Sequence, residues 1–106
     1  MTLTKSQKVA DEWATKALVG YLKRLHNETD QRAFTLDSIT TLLMNQNIEP
    51  DTLMRKGIPA TYQLFDSLLG IEDMHIDELM TLSDEDQDSE VGKRWRSIRM
   101  RVMREV

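Results

Sequence analysis

The 106-residue chain predicts an all-α fold: a compact irregular bundle of five or six short helices, with a central N-terminal helix and a longer amphipathic C-terminal helix. Three observations carry this expectation. Apolar residues recur at helical spacing nearly throughout, and no segment alternates with period two long enough for a strand. Residues that start or stop helices punctuate the chain at short intervals, from Thr4 and Thr35 to Pro50, Gly57, Pro59, Gly70 and Ser83. The final stretch then sets Val91, Trp95, Ile98, Val102 and Val106 on one stripe about 80° wide at the helical pitch. With no repeat, low-complexity tract or linker, residues 1–106 read as a single helical domain.

The first helix opens at Thr4, where "TKSQ" offers a hydroxyl cap and a Gln three residues on, and runs to about Leu25. Its apolar residues, among them Val9, Trp13, Ala17, Tyr21, Leu22 and Leu25, cover more than half the circumference. So wide an arc predicts a central helix with several neighbours, and it permits a homodimer through this helix. Gly20 predicts a close approach of another element.

"HNETDQRA" is polar and reads as a connection, with a second helix from Thr35 to about "NQN". Pro50 and Asp51 suit the first turn of a short third helix that Gly57 stops. Pro59 opens a fourth that ends at Gly70, and a fifth spans about Asp73 to Leu82. The last helix takes Ser83 as its cap. Its acids then lie near the positive end of the helix dipole and its bases near the negative end, and Glu90 stands four residues before Arg94.

Composition works mainly by exclusion. Without cysteine there is no disulfide framework, thiol nucleophile or thiolate metal site, and a reducing compartment fits. The start lacks a secretory signal pattern, and no apolar run approaches the roughly 20 residues of a membrane span. These features predict a cytoplasmic protein without membrane contact. His26 and His75 fall in no metal-ligand spacing, and the four glycines, each isolated, form no phosphate loop. "SDEDQDSE" lacks the central Gly and the terminal Glu spacing of a calcium loop. We therefore expect no enzyme, no metal and no cofactor.

The net charge of -4 is strongly segregated. Residues 81–90 carry five acids and no base, whereas 91–106 carry six bases and one acid. Lys93, Arg94, Arg96, Arg99, Arg101 and Arg104 exceed what dipole matching needs, and five of the six are the residue suited to bidentate contacts. Taken together they spread over about 220° of the helix rather than forming one face. Met100 and Met103 lie among them, off the apolar stripe, in the mixture of arginine and methionine found at interface centres.

The leading expectation is a small non-enzymatic regulator or adaptor that binds another protein through these eight residues. Chains this small, acidic and free of catalytic motifs are common among phage and mobile-element proteins, inhibitors of host machinery included, although no residue here carries that association. The alternative is a DNA- or RNA-binding regulator using the same bases. A helix-turn-helix laid over residues 34–70 is a poor match, because "IPATYQLFDSLL" offers a reading helix neither Lys nor Arg.

Overall fold

The Thr4 hydroxyl accepts the Gln7 N–H at 3.1 Å, and the Gln7 side-chain carbonyl accepts the Thr4 N–H at 3.0 Å. This reciprocal cap starts α1, Lys5–Leu25, where the sequence predicts it. The structure, a computed structural model, describes residues 3–79 and 89–106, and the side chains of 3–70 and 89–106. These residues form five helices and no strand, so the fold is all-α.

The second helix, α2, spans Thr29–Asn45 and so begins six residues before the expected Thr35 cap. Its first turns project past the core and need no apolar residues, which is why "TDQRA" reads as a connection. They are held instead by polar contacts: Arg32 Nε donates to the His26 carbonyl at 2.9 Å, and Asp30 lies at the positive end of the helix dipole. Thr35 is no cap but a buried residue within the helix, its hydroxyl 2.8 Å from His26 Nε2.

Pro50 begins α3, Pro50–Lys56, and Gly57 ends it. Gly57 has φ 88°, a left-handed backbone that residues with a Cβ rarely adopt. The chain then enters α4, Ile58–Leu79, which continues through Gly70. The expected break at Gly70 and the separate helix at Asp73 are therefore absent, and residues 80–82 of that expectation lie outside the described residues. An isolated glycine costs a helix about 1 kcal/mol relative to alanine, which a packed helix tolerates. A Cβ on Gly70 would meet nothing within 4 Å. Gly70→Ala is therefore expected to stabilise the chain by about 0.5–1 kcal/mol, read as a raised urea midpoint.

Ser89, in extended conformation, caps α5, Glu90–Glu105, by accepting the Gly92 N–H at 3.0 Å. The last helix thus starts at Ser89 and not at Ser83. Ser83 to Asp88 lie outside the described residues, and Glu90 is the one acid in the first turn of α5. The acidic and basic blocks are not the two ends of one helix.

The core sits where α1 meets the other helices. Ala14, Leu18 and Leu22 of α1 pack with Leu36, Ile39, Leu42 and Leu43 of α2, Leu53 of α3, Phe65 and Leu68 of α4, and the α5 stripe. Helix α1 contacts α2, α3 and α5, and Tyr21 reaches the rings of Tyr62 and Phe65 on α4. Its apolar arc is narrower than expected, because Val9 at one margin is exposed, while Leu25 is exposed as the last residue of the helix. Gly20 does mark a close approach: a Cβ there would lie 2.8 Å from the Tyr62 hydroxyl.

Candidate functional site

The helical period of α5 produces its inner face. Trp95, Ile98 and Val102 are fully buried, Val91 nearly so, and Val106 packs partly against the core. Trp95 Nε1 donates to the Ile48 carbonyl at 2.6 Å. That carbonyl is presented by a turn in which Asn47 takes φ 56°, a conformation asparagine tolerates better than most residues. The stripe thereby fixes which side of α5 faces outward.

Two of the six bases belong to the edges of that stripe. Arg94, about 80° from its middle on one side, turns away from Glu90 and into the protein. It meets Asp11 of α1 at 2.7 and 2.9 Å and Asp51 of α3 at 2.7 Å, with only 5% of its side chain exposed. The expected pair of Glu90 with Arg94 is therefore replaced by a buried cluster that ties three helices together. Burial alone would lower the pKa of Arg94, but hydrogen bonds to Asp11 and Asp51 and their charges outweigh it and raise it. Arg99, about 60° from the middle on the other side, donates to the Thr40 hydroxyl at 2.6 and 2.9 Å and lies 3.3 Å from Asp37. Burial lowers its pKa, Asp37 opposing and Arg96 reinforcing the shift, yet a guanidinium stays charged at neutral pH.

The other four bases, Lys93, Arg96, Arg101 and Arg104, are all exposed. Among the described residues none of the four is held in an ion pair. With Arg94 and Arg99 removed from the count, they occupy about 140° of the helix rather than 220°. The scatter of bases on the helical wheel thus resolves into an inward pair and one outward face. Met100 stands within this face, 62% exposed, and Met103 borders it beside Arg99, 40% exposed. Glu90 is the acid on this side, in the first turn. Met44 is buried and Met54 partly buried, so these two serve packing, while the side chains of Met74 and Met80 are not among those described.

Other candidates resolve into structural parts. His26 is half-buried at the end of α1 against Thr35, and the side chain of His75 lies outside those described. Among the described residues no three His, Asp or Glu side chains gather as a metal group, and no helix is long and apolar enough to cross a membrane. Thr61, Phe65 and Leu68 of α4 are buried, so the helix that a helix-turn-helix would use for reading bases faces the core with them. A cleft of about 150 Å³ between α1 and α4 is lined by Tyr21, Arg24, Leu25, Tyr62 and Asp66. Edge-to-face rings and the Tyr21 hydroxyl, which donates to Asp66 at 2.5 Å, account for it as a packing corner.

Burial, and then the hydrogen bond to Asp66, push the Tyr21 phenol well above its ordinary value. The unfolded chain would release this proton near the ordinary tyrosine pKa of about 10, the folded chain only above it. This contribution to stability is therefore complete below pH of about 10 and declines as pH rises further. Urea unfolding from neutral to alkaline pH is expected to show that decline, and Tyr21→Phe is expected to flatten it.

Comparison of the chain with protein-family models, with curated proteins and with solved structures found no match. The functional reading therefore rests on the residues themselves. Sequence reasoning missed two things. One is the inward turn of Arg94 and Arg99, whose partners are distant in the chain. The other is the exposure of Phe34, at 59%, which sits in a stretch read as the edge of a connection.

Proposed function

We propose that this chain is a small non-enzymatic regulator or adaptor that binds another protein through the outward face of α5. The observation that carries this reading is Met100, an exposed thioether set among four exposed bases that no described acid engages. Arginine and methionine are enriched at protein interfaces, where the apolar group is desolvated and the charges select the partner. A partner surface with an apolar patch and an acidic surround fits this face. The absence of cysteine suits action in a reducing, cytoplasmic compartment.

A second reading, a nucleic-acid-binding regulator, draws on the same four bases gathered on one face. It accounts less well for an exposed methionine within that face and for the net charge of -4. Binding to duplex DNA and to single-stranded RNA at about 50 mM salt separates the two, since phosphate contacts are strong there. The protein-binding reading predicts no retention. Tight binding that weakens steeply with salt, and that is lost in Arg96→Glu, would replace it with the second.

A further inference from the structure

Helices α2 and α5 run antiparallel. Trp95 reaches the Ile48 carbonyl, Arg99 reaches Thr40, and Arg32 reaches the Val106 carbonyl, so positions on α2 fall as those on α5 rise. Arg99 forms the seam between them, bonded to Thr40 and close to Asp37. Phe34 lies one turn before Asp37 on α2, and Met103 one turn after Arg99 on α5. In an antiparallel pair these two steps lead in the same direction, so Phe34 and Met103 stand at nearly the same level, on the outer side of the seam. Phe34 is 59% exposed, Met103 40% and Met100 62%. Half of the six large exposed apolar side chains among the described residues thus fall on this one side. Scattered single apolar residues need no explanation, but a group beside bases that no described acid engages does.

Charge on this side is divided. The α5 flank carries Lys93, Arg96 and Arg104, whereas the α2 flank carries Asp30 and Asp37. A phosphate backbone laid across both helices would meet the two aspartates. An amphipathic helix does not have that difficulty, because its two flanks can differ in charge while its apolar stripe lies along the centre.

We infer that Phe34, Met100 and Met103 are the anchors of one docking surface that spans α2 and α5, and that its occupant is an amphipathic helix of another protein, acidic along the flank that meets Arg96 and Arg104. This rests on the protein-binding reading above and adds to it a second helix, an aromatic anchor and the form of the partner. Phe34 supplies a large rigid contact and the two methionines adapt to the partner's side chains. The arginines set its direction.

The test uses the full chain and a synthetic helix of about five turns, with leucines on one stripe and glutamates along one flank. Two control peptides carry lysines in place of the glutamates, or the same residues with the stripe scrambled. Binding is followed by fluorescence anisotropy and by the methyl signals of Met100 and Met103. The acidic peptide is expected to bind, to shift both methionine signals, and to weaken about tenfold with Phe34→Ser and at least as much with Arg96→Glu. Phe34 and Arg96 are exposed, so both variants should keep the wild-type helix content and urea midpoint, which separates a lost contact from a lost fold. If Arg96→Glu and Met100→Ser weaken binding but Phe34→Ser does not, the α2 half of the surface is wrong and the α5 reading stands. If none of the three peptides binds at about 1 mM, or the lysine peptide binds as well as the acidic one, the docking surface is overturned. Duplex binding with a steep salt slope overturns the protein-binding reading beneath it as well.

Discussion

Arg94→Ala is expected to lower folding stability by about 3–5 kcal/mol, among the largest losses for any single substitution of a charged residue in this chain. The side chain joins α1, α3 and α5 at one point, and Asp11 opposite it is only 3% exposed. Removing the guanidinium leaves two carboxylates facing each other, one of them shut away from water. The large loss comes from stranding these charges and not from the worth of the cluster itself. Exchanging the whole cluster for apolar side chains, Arg94→Met with Asp11→Leu and Asp51→Leu, is therefore expected to recover most of the stability. Equilibrium urea unfolding of the single and triple variants distinguishes the two contributions. A triple variant no more stable than Arg94→Ala would mean that the ions contribute net stability of their own.

Trp95→Ala is expected to cost about 3–5 kcal/mol, for a different reason. The indole is fully buried in the core at the middle of the stripe, and its N–H satisfies the carbonyl of Ile48 in the turn after α2. Truncation leaves a cavity and an unpaired acceptor together. Trp95→Phe keeps much of the volume but not the donor, and is expected to cost about 1–3 kcal/mol. The comparison by urea unfolding separates packing from hydrogen bonding. Equal losses in the two variants would assign the role of Trp95 to the hydrogen bond alone.

Features written in adjacent residues were legible in the sequence. Thr4 with Gln7, Pro50 with Gly57, and the stripe from Val91 to Val106 each carry their own local chemistry, and the structure places caps, stops and burial where these residues predict. The start of α2 was not legible, because its first turns are polar and are held by Arg32 bonding back to His26. Gly70 misled because a glycine stops a helix only where the backbone must turn, as at Gly57, and the backbone of α4 continues straight through it. Ser83 and Ser89 are both good caps on paper. Ser89 is the one seen to cap α5, accepting the Gly92 N–H, and Ser83 lies outside the described residues.

The candidate site was half legible. The excess of bases on the last helix is evident from the sequence, as is the position of Met100 and Met103 off the apolar stripe. The division of the six bases is not, because it depends on acids and hydroxyls brought up by folding: Asp11 stands 83 residues from Arg94, and Thr40 stands 59 residues from Arg99. Local spacing instead suggested Glu90 as the partner of Arg94. Phe34 was overlooked for a similar reason, since its significance depends on which residues of α5 fold beside it.

The central claim is that α5 carries two bases that hold the fold and four that face outward. Six single variants, each base replaced by glutamine, test it by urea unfolding under one set of conditions. Arg94→Gln is expected to lose about 3 kcal/mol or more and Arg99→Gln about 1–2 kcal/mol, while the variants at Lys93, Arg96, Arg101 and Arg104 stay within about 0.5 kcal/mol of the parent chain. Similar losses at all six positions, or a larger loss at any of the four outward bases than at Arg94, would contradict this division.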